Sequence, residues 1–293
     1  MDPYHQAVSD RRTRTLVETP ALGVFDVVCF SPGGAPRSEE RADVTQVVLP
    51  TDGVYAVHRG RDEVIADVAS AVILAAGREY RVGHPVDGGD RSIVLVFPPE
   101  IIEDALGADP IDGGVVGPRV RLGLHALRSA LRPGSGEVPE AEELALLLLD
   151  RIGRDLGSPG PSRQPGKHQW GRVQEVRAFL AAAPGRRWRF GEVACLVHTS
   201  PFHLARQFRA ITGESVASYL LRLRVALALE RLAQGEADLS AMAADLGFAT
   251  HSHFSARFRS VLGVSPSWVR DSLASGRIAE LRTIVTARDR AAP

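Results

Sequence analysis

HLARQFRAITGESV at residues 203–216 and HFSARFRSVLGVSP at residues 253–266 lie over one another when the chain is shifted by 50 positions. His203 then falls on His253, Leu204 on Phe254, Phe208 on Phe258, Arg209 on Arg259, Gly213 on Gly263 and Ser215 on Ser265. Upstream, Val193-Ala194 falls on Ala243-Ala244 and Leu196 on Leu246. Self-similarity over such a span marks a duplicated structural unit. Each copy reads as two helices around a tight turn. In the first copy Phe190, Val193, Ala194 and Val197 make a short apolar face, and Ser200 caps a second helix that has Pro201 at its first position. In the second copy Leu239, Met242, Ala243 and Leu246 form the first helix, Gly247-Phe248-Ala249 the turn, and Thr250 the cap. The second helices bury Leu204, Phe208 and Ile211, or Phe254, Phe258 and Val261, and stop at Gly213 and Gly263. Ala194 and Ala244 are expected where the two helices of each unit cross. This is the helix-turn-helix layout, whose second helix enters the major groove of duplex DNA.

Between the copies, SVASYLLRLRVALALERLA (215–233) reads as one helix capped by Ser215. Val216, Tyr219, Leu220, Leu223, Leu227 and Leu232 can touch both units. At 1.5 Å per residue the helix spans roughly 28 Å, close to one turn of DNA. One chain can therefore present two reading helices to successive major grooves. A further capped helix begins at Ser265-Pro266, and its Trp268 is expected in the core.

Charge divides the 293-residue chain in the same way. Residues 1–165 carry 17 Arg against 25 Asp and Glu, a net of −8, whereas residues 166–293 carry 18 Lys and Arg against 10 Asp and Glu, a net of +8. A basic half within a neutral total points to a polyanionic partner. GSPGPSRQPGKHQ (157–169) lies at the boundary and reads as a linker, being rich in Pro and Gly and without apolar periodicity. Domains are thus expected at 1–156 and 170–275, with a tail at 276–293 that can be helical.

The N-terminal half reads as short apolar runs separated by turn residues: GVFDVVCF (23–30), TQVVLP (45–50), VYAVHRG (54–60), VIADVASAVILAAG (64–77) and SIVLVF (92–97). That punctuation argues antiparallel strands in a sandwich or barrel. Helices are expected over Pro118–Leu131 and Pro139–Leu156. The second is so rich in leucine that it should cover an open barrel side or pair with its copy in another subunit. The expected fold class is α+β: a cupin-like β-barrel with helices, then an all-α domain of two helix-turn-helix units joined by a linker helix.

Enzyme readings find little support. A barrel metal site needs three or four ligands on neighbouring strands, and His58 and His84 stand alone with Glu79 the one carboxylate expected near. Neither Cys29 nor Cys195 has a His or Cys partner close in sequence, which argues against an alkyl-accepting thiol and against a disulfide framework. No metal, cofactor or catalytic residue is expected. The longest apolar run, Leu144–Leu149, is far short of a membrane span, and no signal peptide is evident, so a cytoplasmic protein is expected. A cupin-type metalloenzyme carrying a DNA reader, and a DNA-binding protein without any ligand, are the competing readings.

The stretch from Val193 to Arg270, including GFATHSHFSARFRSVLGVSPSWVR, resembles the AraC/XylS family of bacterial transcription regulators over roughly 100 residues. The resemblance implies a sensor and dimerisation domain ahead of a two-unit DNA reader. It implies base-facing positions early in each recognition helix: Phe202, Ala205 and Arg206 in the first, His251, Ser252 and Ser255 in the second. Flanking or phosphate contacts are expected from Ser200, His203, Arg209, Thr250, Arg257 and Arg259. Double-stranded DNA, a small-molecule effector, a second copy of the chain and RNA polymerase are the partners implied. Ala205 and Ala256 are shorter than the readers expected there. Val197 stands where the second unit has Gly247, which implies a somewhat different turn.

Overall fold

The computed structural model describes residues 11–30, 39–60, 62–108, 110, 112–132, 138–157 and 166–287. Ten strands and eleven helices occur among them. The strands are β1 (Arg11–Glu18), β2 (Gly23–Cys29), β3 (Glu40–Arg41), β4 (Gln46–Gly53), β5 (Tyr55–Arg59), β6 (Asp62–Ala66), β7 (Ser70–Leu74), β8 (Glu79–Gly83), β9 (Asp90–Val96) and β10 (Gly113–Val115). Helices α1 (Pro99–Leu106), α2 (Pro118–Ala130) and α3 (Val138–Leu156) complete the N-terminal half. The C-terminal half is helical throughout: α4 (Lys167–Ala182), α5 (Phe190–Leu196), α6 (Pro201–Thr212), α7 (Val216–Ala233), α8 (Leu239–Asp245), α9 (His251–Leu262), α10 (Pro266–Ala274) and α11 (Ile278–Thr286).

The strands form two antiparallel sheets, ordered β1-β2-β9-β4-β7-β10 and β3-β8-β5-β6. The expected cupin-like barrel is therefore corrected to an open two-sheet sandwich. Alternate residues of the larger sheet explain the layering. Val24, Val47, Ile73, Ile93 and Leu95 face α2 and α3, whereas Phe25, Val48, Val72 and Val94 face Tyr55, Val57 and Tyr80 of the smaller sheet. A sheet buried on both faces reads as continuous apolar runs, which is how these strands appear in the sequence. The run 64–77 is two strands, because Asp67 turns the chain by accepting hydrogen bonds from the Ala69 amide (2.7 Å) and the Ser70 hydroxyl (2.9 Å). Strand β1 carries no apolar alternation; its charged, largely exposed residues suit a sheet edge.

Leucine-rich α3 buries Ala141, Leu144, Ala145, Leu148, Leu149 and Ile152 in a core shared with α1, α2 and α11. Its apolar face is thus covered within the chain, and Leu146 is left exposed. Helix α4 begins at Lys167, three residues inside the stretch read as a linker; residues 158–165 lie outside the described residues. Of the tail, α11 packs on α2 and α3 through Ile278, Leu281 and Val285, and residues 288–293 lie outside the described residues.

The two halves share one core. Val225, Ala228, Leu229 and Leu232 of α7, with Phe254 and Phe258 of α9 and Leu273 of α10, join the cluster that holds α2 and α3. On the other side α4 lies on the smaller sheet: Trp170 donates to the Glu63 carbonyl at 2.7 Å, and Gln174 accepts from the Ile65 amide at 3.0 Å. A buried polar cluster completes this contact. Arg177 of α4 donates to the Ile65 carbonyl (2.7 Å), Ser70 Oγ (2.8 Å) and Asp67 Oδ2 (3.2 Å), and the Tyr219 hydroxyl of α7 also donates to Asp67. No helix among the described residues is long and apolar enough to cross a membrane.

Candidate nucleic-acid interface

The local chemistry of the two units follows from their caps. Ser200 accepts from the His203 amide (3.3 Å), Thr250 from the His253 amide (3.1 Å), Ser215 from the Ser218 amide (3.1 Å) and Ser265 from the Trp268 amide (3.2 Å). Each expected cap is in place, and α6 and α9 close on Gly213 and Gly263 in the left-handed conformation. Leu204, Phe208, Phe254 and Phe258 are fully buried. Val261 and Ile211, expected to be buried, are half-buried, and Leu262 is the buried residue in the last turn of α9.

The duplication is offset by 50 in the second helices and by 49 in the first. Buried Val193, Ala194 and Val197 correspond to buried Met242, Ala243 and Leu246, whereas Leu196 and Ala244 face solvent. The small residue at the helix crossing of the second unit is therefore Ala243, not Ala244. The turns absorb the difference. The Thr199 amide donates to the Ala194 carbonyl (3.0 Å) around His198 at φ +50°, and the Phe248 amide donates to the Ala243 carbonyl (2.9 Å) around Gly247 at φ +74°. One residue then precedes the Ser200 cap, and two precede the Thr250 cap. At Gly247 a Cβ would lie 2.3 Å from the Gly185 carbonyl oxygen, so no other residue fits without displacement.

Opposite the buried faces lie the residues expected to meet DNA. Phe202 is 73% exposed, and Ala205, Arg206, His251 and Ser252 are exposed, while Ser255 is half-buried. Ser200, His203, Arg209, Thr250, Arg257 and Arg259 are exposed as well. Ser255 Oγ lies 3.3 Å from His251 Nε2, and the Phe202 and His203 rings meet edge to face at 6.0 Å. No described residue forms an ion pair with Arg206, Arg209, Arg257 or Arg259. Their guanidiniums are thus available to phosphate oxygens or to a guanine edge, where a bidentate pair discriminates by roughly 1–3 kcal/mol.

Two supporting arginines escaped sequence reasoning. Arg172 of α4 donates to the Val197 carbonyl (3.2 Å) and to Gln207 Oε1 (3.0 Å), bracing α6 from behind. Arg224 of α7 donates to the carbonyls of Pro184 (2.9 Å), Arg186 (2.9 Å) and Gly247 (3.2 Å), tying the turn of the second unit to the loop before α5. Both act on backbone atoms far away in sequence, which no local pattern reports. Tyr219, Leu223 and Ala226 of α7 serve the first unit, whereas Val225, Leu229 and Leu232 serve the second, so the strut has two apolar faces. Leu227 touches both cores.

Two cavities lie in the N-terminal half and at its border. One of about 70 Å³ lies between the sheets, lined by Tyr55, Tyr80, His84 and Asp90 among valines. Another of about 400 Å³ lies where β1 and α2 meet α7 and α10, lined by Arg14, His125, Arg128, Arg132 and Glu230. Arg128 pairs with Glu230 at 2.9 Å, and Arg14 with Asp26 at 2.9 Å. Burial works to raise the Asp26 carboxyl, but the guanidiniums of Arg91 and Arg14 outweigh it and hold the group below the usual carboxylate range. His125 is buried and neither ring nitrogen has a hydrogen-bond partner among the described residues; burial, against the pull of Glu230, pushes it down to about 4. The histidines weighed as barrel metal ligands are separated. His58 Nδ1 lies 3.6 Å from Glu63, Glu79 pairs with Arg41 at the surface, and His84 Nε2 lies 2.7 Å from Asp90.

Residues 193–272 match a family described as a helix-turn-helix domain. A putative AraC-like transcription regulator of Streptomyces antibioticus is 34% identical over 94 residues, 32% of this chain and 31% of that protein. A putative AraC-like transcription regulator of Streptomyces lividans is 35% identical over 132 residues, 43% of this chain and 42% of that protein. Among solved structures, ToxT from Vibrio cholerae O395 aligns with 91% of this chain and 99% of its own at 12% identity, with a TM-score of 0.35. The chain spans less than half the length of the two curated relatives.

Proposed function

We propose that this chain, whose residues 193–272 form an AraC-type helix-turn-helix domain, is a sequence-specific DNA-binding transcription regulator of the bacterial cytoplasm. One observation carries the reading: two capped helices, α6 and α9, each bury one face and expose the other, and both units pack on the single strut α7. In this reading Phe202, Ala205 and Arg206 face bases in one major groove, and His251, Ser252 and Ser255 face bases in the next. Arg206 grips a guanine edge and Phe202 meets a thymine methyl. The open amides at the starts of α6 and α9, with Ser200, Thr250, His203, Arg209, Arg257 and Arg259, hold phosphates. Short Ala256 leaves the second unit with more backbone than base contact.

The N-terminal half is the regulatory part. Ligand pockets are typically about 300–1,000 Å³, which favours the cavity of about 400 Å³ over the smaller one between the sheets. Its wall sets Arg14, Arg128 and Arg132 beside Asp26 and Glu230, which suits a polar effector, and Glu230 belongs to the strut, so occupancy would act directly on the spacing of the readers. Pairing of two copies and contact with RNA polymerase rest on the resemblance alone.

Selecting bound fragments from genomic DNA, followed by fluorescence anisotropy on the selected duplex, tests the reading. Affinity is expected to fall by about 0.9 log units per log unit of salt for each phosphate neutralised. A flat salt response, or no enrichment of any sequence over random DNA, would refute it.

A further inference from the structure

We propose that Cys29, His84 and Asp90 form a binding site for a divalent ion of the Zn²⁺ class, with one coordination position open toward the cavity between the sheets. The proposal stands apart from the DNA reading and needs none of its residues. The three donor atoms lie within 4.8 Å of one another. Their convergence is built by the fold. Cys29 ends β2 and is the direct cross-strand partner of Asp90 at the start of β9, so both side chains leave the same face of the sheet. His84 follows β8 and reaches them through the turn HPVDGGD (84–90). At Gly89, φ +81°, a Cβ would lie 1.9 Å from the Cys29 carbonyl oxygen, so glycine alone lets this turn lie against the end of β2.

The chemistry of the set selects the ion. Thiolate, imidazole and carboxylate together favour late first-row divalent ions over Mg²⁺ or Ca²⁺, which take oxygen ligands. Zn–S near 2.3 Å and Zn–N or Zn–O near 2.0–2.1 Å place donors about 3.3–3.7 Å apart in a tetrahedron. The His84–Asp90 hydrogen bond at 2.7 Å therefore opens slightly, and the thiol closes in by side-chain rotation. On binding, the thiol proton and the proton that His84 Nε2 shares with Asp90 both leave to solvent, and the freed sulfur, nitrogen and carboxylate oxygen take the ion. The site is sheltered: the His84 side chain is 1% exposed and that of Asp90 9%. Ser92 donates to the second Asp90 oxygen at 3.3 Å and steadies the carboxylate. Three protein ligands leave a fourth position, and the adjoining cavity of about 70 Å³ holds a water or a ligand of a few atoms there.

Titrating the reduced, chelator-treated full chain with Co²⁺ tests this. Saturable uptake of one ion per chain is expected, with a near-ultraviolet thiolate-to-cobalt band and the intense visible bands of a four-coordinate ion, all displaced by Zn²⁺. Cys29→Ser should abolish the charge-transfer band and His84→Gln should weaken uptake at least 10-fold, with helix and strand content unchanged by circular dichroism. Cys195→Ser, at an exposed position on α5, should keep every signal. Absence of saturable uptake, a six-coordinate spectrum, or a charge-transfer band that disappears in Cys195→Ser would overturn the proposal. The wild-type and Cys195→Ser titrations decide it even if the Cys29 variant fails to fold.

Discussion

Replacing Asp67 with asparagine withdraws one negative charge from the cluster that joins the sandwich to α4 and α7, yet leaves an oxygen for the turn. Asp67 is fully buried, and the Arg177 side chain, 3.2 Å away, is 4% exposed. Leaving one member of such a pair without its counter-charge typically costs about 3–5 kcal/mol, because the remaining charge is not resolvated. In Asp67→Asn the side-chain carbonyl oxygen would still accept from the Ala69 amide, so the β6–β7 turn itself should survive. Arg177→Met should cost a similar amount, since the carboxylate then keeps the Tyr219 hydroxyl but loses its cation. The double variant should cost little more than either single change, giving a coupling close to one single effect, about 3 kcal/mol or more. Urea denaturation of the four full-length proteins at neutral pH, followed by tryptophan fluorescence, measures all three quantities. Trp170 donates to the Glu63 carbonyl at the same contact and reports its loss directly. Additive single effects, or an Asp67→Asn variant as stable as the parent, would refute the argument that this buried pair holds the halves together.

Arg206→Ala should weaken binding to the selected duplex roughly 5- to 150-fold, about 1–3 kcal/mol, and leave the melting temperature unchanged, since no described residue partners the guanidinium. Leu204→Ala should do the reverse at the level of the fold: its side chain is fully buried, and the cavity should cost about 2–5 kcal/mol by calorimetry. His125 gives a pH dependence with a definite sign. Its folded value of about 4 lies below the ordinary 6.5, so the unfolded chain binds the extra proton between those limits. Stability contributed by neutral His125 is therefore full above pH 6.5 and is lost as the pH falls toward 4. The urea midpoint should drop over that window in the parent more steeply than in His125→Leu; parallel curves would refute it.

How much can be read beforehand depends on the range of the interactions involved. Strand β1 escapes a search for apolar runs because its alternation is charged, and β8 because Tyr80 and Gly83 are its buried residues within a turn-like stretch. The 49-residue offset of the first helices is hidden by accidental matches, Leu196 over Leu246 and Ala194 over Ala244. Their exposure, not their identity, separates them. A barrel metal site would draw its ligands from neighbouring strands, which directs attention to His58, His84 and Glu79 and away from any site, since that set is incomplete. The cluster that forms instead draws on Cys29, 55 residues from His84 in the chain.

The order of helices α5 to α10, their caps at Ser200, Ser215, Thr250 and Ser265, and the exposed face that carries Arg206 were determined by the sequence alone. Each depends on contacts three or four residues apart, which the repeat displays twice. Tertiary structure decided the rest: that the strands form an open sandwich, that α3 spends its leucines inside the chain, and that Asp67 meets Tyr219 across 152 residues. Such contacts join groups whose chain separation carries no periodic signal, so only the packed fold brings them together.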